Sequence, residues 1–386
     1  MRRGLLAGLL AVLMTALSGC GADAEDAAVW MYAVSVGKAD AILVGAGDSV
    51  CLVDAGYARS RGKILAAMER MGVERLDAVF VTHTDGDHTD GLEWLAESDI
   101  EVGAWYASAM YTGVKEKKHP AVKAAAIRGE QVRWLRAGDS VPLGGARLDV
   151  LAPISLYADK DDNNSLVMML RSDAGSILLA GDMEFPEEAE LVASGVSLDC
   201  DVLKVANHAD NDTTGEAFVR AASPKVAVIS TSSEEKPETP DPRAVALLQA
   251  AGAEVVVTQE CTGGILVRLD GGAPTVERVS LQAPDARISI ARVIPGEDLI
   301  VLRNDGTAEA SLAGWYLCSE RGGEMMILPE DAVIAPGGSL TIGTKSSGGG
   351  FDLLWDEKKV IHESKRDVIS LYAPNGLPVS EMDNGY

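Results

Sequence analysis

Short apolar runs alternate with segments of helical periodicity over most of the chain. Runs rich in Val, Ile and Leu predict buried strands, and apolar residues spaced three and four positions apart predict helices. Strands are predicted at 29–36, 40–44, 49–53, 76–81, 101–106, 165–170, 176–179, 202–206, 226–229, 254–258 and 264–269, with others near 132 and 148. Helices are predicted at 61–71, 89–96, 120–127, 184–193, 214–222 and 241–251. This alternation predicts an α/β domain in which helices cover sheet.

The pattern changes after residues 270–287, which are rich in Gly, Pro and polar side chains. Beyond this break the helical period disappears, and short alternating runs are separated by turn residues. These runs predict strands at 288–293, 299–303, 314–318 and 339–342. The C-terminal part of the chain therefore predicts an all-β sandwich of about a hundred residues.

The N-terminus has the pattern of an export signal. Two arginines precede the apolar stretch Gly4–Thr15, which is too short to span a bilayer comfortably. The following Leu-Ser-Gly-Cys at 17–20 resembles the lipobox of bacterial lipoproteins, which implies that Cys20 carries a lipid. An ordinary secretory signal or an N-terminal anchor helix is the alternative, and all three place the mature chain outside the cytoplasm. The predicted division is a signal peptide at 1–20, a linker at 21–28, an α/β domain at 29–271, a linker at 272–286 and a β-sandwich at 287–386.

The net charge of the chain disfavours some classes of binding partner. The 386 residues include 34 Lys and Arg and 58 Asp and Glu, which gives a formal net charge of −24. Such a field repels polyanions at long range, so bulk charge argues against nucleic acid and anionic lipid unless metal ions reverse the sign locally. Repulsion of this kind affects encounter, and it does not limit what a metal site could cleave.

Four cysteines follow the predicted signal peptide: Cys51, Cys200, Cys261 and Cys318. None belongs to a C-x-x-C pair, and the first three lie in or beside apolar runs. Buried free thiols are therefore predicted, with disulfide pairing as the alternative in an exported protein. We do not expect these thiols to bind metal.

Candidate chemistry is concentrated directly after the predicted strand 76–81, in the sequence T-H-T-D-G-D-H-T-D-G at 82–91. Loops at the carboxyl end of a buried strand are where open α/β sheets place their chemistry. Two imidazoles and two carboxylates lie within six residues of this loop: His83, Asp85, Asp87 and His88. Because the chain has five histidines in all, two of them in one turn favour a metal site over a solvated acidic turn.

This turn resembles the H-x-H-x-D-H signature of the metallo-β-lactamase fold, with Asp85 in place of the second histidine. The form with aspartate is similar to the hydrolase domain of ComEC-like competence proteins, which carry H-x-D-x-D-H. Further motifs of that group follow in order: V-G-K-A-D at 36–40, L-V-D-A-G at 52–56, N-N-S-L-V at 163–167, L-A-G-D at 179–182 and V-L-K-V at 202–205. The resemblance extends from about residue 29 to residue 269 and implies an αββα sandwich.

The C-terminal segment resembles the lamin-tail domain, an immunoglobulin-like sandwich. The similarity lies in L-I-V-L-R-N-D-G at 299–306, S-L-A-G-W-Y-L at 311–317 and I-A-P-G-G-S-L at 334–340. Trp315 is expected in its core rather than in a ligand site. No catalytic cluster is visible in this part of the sequence.

The resemblance implies roles for six residues. His83 and Asp85 would hold one divalent metal ion, Asp87, His88 and His208 would hold a second, and Asp182 would bridge them. Paired cations about 3.5 to 4 Å apart activate water and clamp the attacking and leaving oxygens of a displacement. Asp87 is also expected to orient or deprotonate the nucleophile, and is the candidate catalytic residue.

Three departures from the family pattern affect this expectation. N-H-A-D at 207–210 stands in place of H-H-G-S, so that Asn207 replaces an imidazole. The segment 236–240 lacks the histidine of the family's N-x-Y-x-H-P, which removes a candidate proton donor, and Asn164 falls where other members place a zinc-binding histidine. The remaining oxygen-rich ligand set favours Mn²⁺ or Mg²⁺ for activity, although Zn²⁺ would bind more tightly. The expected cofactor is therefore two divalent ions, Mn or Zn.

The expected function is that of an exported, lipid-anchored, metal-dependent hydrolase of the phosphodiesterase or nuclease type. Its expected partners are a phosphoester or nucleic-acid substrate and, through the lipid, a membrane. The alternative is a metal-bound but non-catalytic binding module of the cell surface. The missing histidines and the acidic surface favour that alternative.

Overall fold

The computed structural model describes residues 28–386. The predicted signal peptide, its Cys20 and residues 21–27 of the predicted linker lie outside the described residues. Within residues 28–386, no helix has the length and apolar character needed to cross a membrane.

The α/β domain is built from strands and helices that follow the predicted alternation. Its strands, numbered in chain order, are β1 (Val29–Val34), β2 (Ala41–Ala46), β3 (Ser49–Ala55), β4 (Arg75–Leu76), β5 (Ala78–Val81), β6 (Glu101–Val102), β7 (Trp105–Ser108), β8 (Val132–Leu135), β9 (Ser140–Leu143), β10 (Ala146–Ala152), β11 (Val167–Ser172), β12 (Gly175–Leu179), β13 (Val202–Lys204), β14 (Val226–Ile229), β15 (Glu254–Val257), β16 (Gly264–Leu269) and β17 (Thr275–Val279). Its helices are α1 (Arg61–Met71), α2 (Gly86–Thr89), α3 (Leu92–Glu97), α4 (Pro120–Ile127), α5 (Phe185–Ala193), α6 (Glu216–Ala222) and α7 (Pro242–Ala250). Short 3-10 turns lie at Ala58–Ser60, Glu116–Lys118, Asp162–Asn164, Ala206–Ala209 and Thr258–Glu260.

Two large sheets form the centre of this domain. The first has the strand order β17-β16-β1-β2-β3-β5-β7-β8, and the second has the order β15-β14-β13-β12-β11-β10-β9. Strands β3, β5, β7 and β8 are parallel to one another, as are β12, β13, β14 and β15. Each sheet therefore has one edge at which several strands end together, and loops at such edges are where α/β folds place functional side chains.

The layers of the domain are helix, sheet, sheet and helix. Met31 and Met168, from opposite sheets, are both fully buried in the layer between them. Ile64 of α1 packs on the outer face of the first sheet, and Phe218 of α6 packs on the outer face of the second. Because both faces of each sheet are covered, strands such as β1 and β2 are buried along their whole length, which explains their continuous apolar sequences. The predicted αββα sandwich is confirmed.

Two predicted elements are divided in the structure. The predicted strand 76–81 is interrupted at Asp77, whose main chain and carboxylate both bond to Val50. The predicted helix 89–96 is split into α2 and α3 at Gly91. A Cβ atom on Gly91 would lie 2.1 Å from the carbonyl oxygen of Ala55, so only glycine allows this close approach of the two backbones.

The predicted linker 272–286 contains part of the first sheet. Strand β17 lies within it and pairs antiparallel with β16, with Val267 opposite Val276. Three of its five residues are exposed and Val279 is the one that is buried, as suits an edge strand, and the Gly- and Pro-rich composition around it conceals the strand in the sequence. The sheet therefore continues to Val279, beyond the predicted end of the α/β domain at residue 271.

The C-terminal domain is a β-sandwich, as predicted. Its strands are β18 (Ile288–Ile294), β19 (Leu299–Asn304), β20 (Ala310–Ser311), β21 (Tyr316–Ser319), β22 (Met325–Ile327), β23 (Val333–Ile334), β24 (Ser339–Thr344), β25 (Leu353–Trp355), β26 (Val368–Tyr372) and β27 (Pro378–Asp383). They form two four-stranded sheets, β18-β19-β24-β25 and β22-β21-β26-β27, and the short pair β20-β23. Trp315 is buried in the core between them, as predicted.

The two domains are in contact at the start of α1. The hydroxyl of Tyr316 donates to the carbonyl of Arg59 at 2.8 Å and accepts the amide of Gly62 at 3.3 Å. The Arg59 guanidinium pairs with Glu320 at 3.5 Å. Gly62 faces the backbone of Gly376 so closely that a Cβ atom on Gly62 would lie 2.4 Å from its nitrogen. The C-terminal domain therefore rests directly on the first turn of α1.

All four cysteines that the structure describes are buried free thiols, as predicted: Cys51, Cys200, Cys261 and Cys318. Burial raises the pKa of each thiol above its ordinary value, which keeps the sulfur protonated and unreactive.

Candidate active site and metal centre

The six residues selected from the sequence converge on one edge of the α/β domain. The loop after β5 and the following helix α2 carry His83, Asp85, Asp87 and His88. Asp182 follows β12, and His208 lies in the 3-10 turn after β13. These strands belong to the parallel parts of the two sheets, so their carboxyl ends bring residues that are far apart in sequence to the same place.

Four of these side chains form a first ligand cluster. Asp87, His88, Asp182 and His208 each offer a ligand atom, and these atoms all lie within 4.8 Å of one another. Oδ2 of Asp182 is 3.2 Å from Nε2 of His88 and 3.4 Å from Nε2 of His208. Nε2 of His208 is also 3.6 Å from Oδ2 of Asp87. Two carboxylates and two imidazoles thus face a common point.

A second ligand cluster contains His83, Asp85 and Asp162. Nε2 of His83 lies 3.9 Å from Oδ2 of Asp85. The rings of His83 and His88 are 4.2 Å apart between centroids, so the second cluster adjoins the first. Asp162 was not among the predicted ligands. Its only sequence signal is its position directly before the N-N-S-L-V motif, which did not indicate that its carboxylate would meet the loop after β5.

Hydrogen bonds orient the three imidazoles. Nδ1 of His88 lies 2.7 Å from Oδ2 of Asp54, and Nδ1 of His208 lies 2.8 Å from the carbonyl of Ser230. Nδ1 of His83 lies 3.1 Å from the hydroxyl oxygen of Thr82. With Nδ1 engaged in this way, each ring presents Nε2 to the clusters, as metal-binding histidines do.

The residues present fit divalent metal ions. Four ligand atoms are buried and find no hydrogen-bond partner within residues 28–386: Nε2 of His83, His88 and His208, and Oδ1 of Asp182. Buried polar atoms without partners cost free energy, and a cation is the partner that imidazole nitrogen and carboxylate oxygen share. The two clusters are therefore a candidate metal-binding site.

The charged groups of the first cluster shift one another's pKa values. Burial lowers the pKa of His208, but the carboxylates of Asp182, Asp87 and Asp40 outweigh burial and raise it to about 9. Burial raises the pKa of Asp182, but His88 and His208 outweigh burial and hold it well below its ordinary value. The carboxylates are thus ionised and strongly attract positive charge. Because metal ions displace protons from imidazole, ion binding here should weaken as the pH falls.

Lys38 is a further residue of the site. Its Nζ atom lies 2.7 Å from Oδ2 of Asp87. Burial lowers the pKa of Lys38, but Asp87 and Asp182 outweigh burial and raise it above the ordinary value, so the side chain stays cationic. Glu235 accepts the Lys38 amide at 3.1 Å and so holds this turn in place. The signal in the sequence is the lysine of the motif V-G-K-A-D at 36–40.

A buried ion pair lies beneath the first cluster. Nζ of Lys204 is 2.8 Å from Oδ2 of Asp40, and both side chains are fully buried. Ser230 also donates to Asp40, and the amide of Asp40 donates to the carbonyl of Asp87. Asp40 and Lys204 occupy the polar positions of V-G-K-A-D and V-L-K-V, so these motifs mark residues that support the ligands.

Asn207, Asn164 and the segment 236–240 do not supply the missing imidazoles. The amide of Asn207 donates to Asp212 at 3.1 Å, and its backbone has a φ of 41°. The amide of Asn164 is bonded to the main chain of Tyr157 on both its oxygen and its nitrogen. In the segment 236–240, Lys236 forms an ion pair with Asp210.

Comparison with known proteins agrees with this geometry. The family model of the metallo-β-lactamase superfamily matches residues 34–233, a segment that contains every residue of both ligand clusters. The chain belongs to the metallo-β-lactamase superfamily. Members of this superfamily are typically metal-dependent hydrolases, which agrees with the two ligand clusters. A second model, the lamin tail domain, matches residues 282–384.

The chain is similar to two competence proteins and to a recombination protein. It is 25% identical over 252 residues to ComE operon protein 3 of Bacillus subtilis, which covers 58% of this chain and 32% of that protein. It is 24% identical over 257 residues to competence protein ComA of Neisseria gonorrhoeae, which covers 66% of this chain and 34% of that protein. Recombination protein 2 of Haemophilus influenzae is 25% identical over 203 residues, 51% of this chain and 23% of that protein. The chain thus spans about a third or less of the length of these relatives.

Solved structures with a similar fold include the metallo-β-lactamase fold protein YhfI from Bacillus subtilis. It is 12% identical, with a TM-score of 0.44 over 62% of this chain and 99% of that protein. A diphosphatase of the PhnP family is 14% identical, with a TM-score of 0.36 over 59% of this chain and 94% of that protein.

Proposed function

We propose that this metallo-β-lactamase superfamily member is an exported, lipid-anchored phosphodiesterase of the nuclease type that uses two divalent metal ions. The observation that carries the proposal is the pair of adjoining ligand clusters, which meet where His83 and His88 lie 4.2 Å apart. Paired metal ions are a common arrangement for in-line displacement at phosphorus.

Each cluster would hold one ion. Asp87, His88, Asp182 and His208 would hold the first, and His83, Asp85 and Asp162 would hold the second. Asp182 is proposed to bridge them, because its Oδ2 faces the first cluster while its buried Oδ1 has no protein partner within residues 28–386.

Bound ions of this kind act as Lewis acids, lower the pKa of water and neutralise phosphoryl charge. The protein then has to orient the reactants. Asp87 would orient the attacking water and accept its proton. Lys38, which carries a positive charge beside Asp87, would bind a non-bridging phosphoryl oxygen. Asp54 would keep the His88 ring fixed while charge develops.

Two features support a phosphodiester substrate and manganese. The similar proteins bear names that refer to competence and recombination, which favours a role with nucleic acid. Four carboxylates and three imidazoles make up the two clusters, and an oxygen-rich set favours activity with Mn²⁺ even where Zn²⁺ binds more tightly.

Turnover of a small diester tests the proposal. Purified mature protein loaded with Mn²⁺ should hydrolyse bis(p-nitrophenyl) phosphate, and Asp87→Ala should abolish this activity. Asp173→Ala, which changes an exposed aspartate outside the clusters, is the matched control. A metal-loaded protein that turns over no diester, monoester or oligonucleotide would overturn the proposal.

A metal-bound but non-catalytic binding module is the second candidate. It is favoured by the lack of an imidazole at Asn207, whose amide donates to Asp212, and in the segment 236–240. Asn207→His separates the candidates. If the variant turns over the diester much faster than the wild type, the protein is a weakened enzyme. If the wild type and the variant are both inactive and both capture the same cell-wall or protein ligand, the protein is a binding module.

Export and anchoring are proposed from the sequence at 17–20. Expressed from its full-length gene, the wild-type protein should sediment with membranes and incorporate labelled fatty acid. Cys20→Ala should remove the label and release the protein from the membrane fraction. Label that persists in Cys20→Ala would exclude Cys20 as the lipidated residue.

A further inference from the structure

The segment 109–136 has a positive net charge, opposite in sign to that of the whole chain. It contains seven Lys and Arg and two Glu, in a chain with a net charge of −24. Six of the cations are exposed and form no ion pair with any carboxylate of residues 28–386: Lys115, Lys117, Lys118, Lys123, Arg133 and Arg136. These six residues are called the basic edge below. The seventh cation, Arg128, is engaged with the carbonyls of Leu95 and Ser98. The positive charge of this part of the surface therefore offsets locally the repulsion of polyanions that the net charge of the chain implies.

Four residues of the basic edge lie at the end of the sheet that carries the candidate metal centre: Lys115, Lys117, Lys118 and Arg136. Strands β5, β7 and β8 are adjacent and parallel, so the loop after β7 at 109–119 and Arg136 after β8 lie at the same edge as the loop after β5. Asp161 joins the two loops. Its carboxylate accepts the amide of Thr112 at 2.5 Å and the amide of Thr84 at 2.9 Å. The neighbouring residue, Asp162, belongs to the second ligand cluster.

An aromatic pair lies at the base of the same loop. The rings of Tyr111 and Trp134 stack at 5.3 Å between centroids with an interplanar angle of 24°. His119 meets both rings edge-on at 4.8 and 5.2 Å, and both aromatic residues are partly exposed. Burial lowers the pKa of His119 to about 4, so this imidazole is neutral at pH 7 and does not add to the positive charge. The ring of Tyr111 is thus held by Trp134 and His119 in a segment that carries exposed cations.

We propose that the basic edge and Tyr111 form a docking surface for single-stranded nucleic acid. Phosphates would contact Lys115, Lys117 and Lys118, and an unpaired base would stack on Tyr111 beside Trp134. This combination of a cationic track and an aromatic platform is how proteins bind single strands without reading sequence. A duplex would gain the phosphate contacts and lose the stacking, because its bases are already stacked.

The consequence for catalysis rests on the proposed phosphodiesterase function, but the binding itself does not. Binding is therefore measured on the mature protein in EDTA, by fluorescence anisotropy of a labelled 20-nucleotide DNA strand over a series of salt concentrations. The test variant is the triple substitution Lys115→Glu, Lys117→Glu, Lys118→Glu. The matched control carries the same change of charge in the C-terminal domain, at Lys358, Lys359 and Lys365.

The triple variant should lose at least tenfold in affinity, and its slope of log affinity against log salt should fall by about two, since each phosphate contact contributes roughly 0.7 for a single strand. The control should bind within about twofold of the wild type. Tyr111→Ala should weaken binding by fivefold or more with little change in slope, because stacking is not a charge effect. Unchanged melting temperatures of all variants establish that they are folded.

Equal loss of affinity in the triple variant and the control would overturn the proposal, since only net charge would then matter. Equal or tighter binding of a blunt duplex, or of vesicles rich in anionic lipid, would also overturn it. If the strand binds as expected but no diester is hydrolysed in Mn²⁺, the proposed enzyme activity fails and the docking surface stands. If the triple variant still hydrolyses a small diester but no longer cleaves the oligonucleotide, both are supported.

Discussion

The ammonium group of Lys38 lies 2.7 Å from Oδ2 of Asp87, so a lysine of the loop after β1 shares a carboxylate with a candidate metal ion. The contact joins residues that are 49 positions apart in sequence. It places a permanent positive charge beside the site at which a phosphoryl group would bind.

Substitution of Lys38 should therefore have two opposite effects. Lys38→Gln, which removes the charge and keeps a polar side chain, should raise KM for an anionic diester about tenfold, because a charge-assisted contact is lost. The same variant should bind Mn²⁺ more tightly by titration calorimetry, because Asp87 no longer shares its charge with an ammonium group. Lys38→Arg keeps the charge and should stay close to wild type in both measurements. An unchanged KM with weakened metal binding would contradict this role.

Metal content should depend unequally on the carboxylates of the first and second clusters. After dialysis against mixed divalent ions, elemental analysis of the wild type should give about two ions per chain. Asp182→Ala should remove both, since this residue is proposed to bridge them, whereas Asp85→Ala should remove mainly one. Fewer than about one ion in the wild type, or an unchanged count in Asp182→Ala, means that the site is misassigned.

Asp162 should behave as a ligand although the sequence did not identify it. Asp162→Ala should reduce the metal content by about one ion per chain, as Asp85→Ala does, because both belong to the cluster with His83. Asp159→Ala removes an exposed carboxylate of the same loop and should keep the wild-type content. A full complement of metal in Asp162→Ala would restrict the second cluster to His83 and Asp85.

His119 should make stability fall in mild acid. Its folded pKa is about 4, while an unfolded histidine titrates near 6.5. Between these values the unfolded chain binds a proton that the folded chain does not, so stability is full above the upper value and falls as the pH drops towards 4, by up to about 3 kcal/mol. His119→Asn retains the helix cap on Ala121 and should lose this dependence. Urea unfolding of both proteins in EDTA from pH 4 to 8 measures the difference.

Gly62→Ala should destabilise the contact between the domains. Alanine favours an α-helix over glycine by about 1 kcal/mol, and Gly62 lies within α1. The added Cβ, however, would lie 2.4 Å from the backbone nitrogen of Gly376, so the C-terminal domain must shift. A lower melting temperature is the expected result. A higher one would show that helix propensity dominates and that the contact is loose.

Much of the architecture could be predicted from the spacing of apolar residues along the chain. The helices 61–71 and 120–127 and the strands 226–229 and 264–269 have the predicted bounds, because apolar residues at the period of helix or strand meet a continuous core. Strand β17 was not predicted because an edge strand needs few apolar residues. The break at Gly91 was not predicted because it depends on the backbone of strand β3, which is distant in sequence.

The candidate site could be predicted where its residues lie in or beside a recognisable motif, as Asp182 and His208 also do at L-A-G-D and V-L-K-V. His83, Asp85, Asp87 and His88 lie within six residues, so their spacing indicates a common site. Lys38 and Asp162 acquire their roles from the meeting of loops far apart in sequence, which composition and spacing do not reveal. The basic edge was not predicted for another reason. Net charge is a sum over the whole chain, and the acidic residues elsewhere outnumber the cations of this segment.

The contact of Tyr316 and Glu320 with the start of α1 changes how a shortened protein should be interpreted. Arg59 pairs with Glu320 and also with Glu235, and Glu235 holds the amide of Lys38. Removing the lamin tail domain would leave Arg59 with one carboxylate instead of two and expose the first turn of α1. Activity lost on truncation would then be explained by a displaced Lys38, and would not by itself show that the tail recruits the protein to its target.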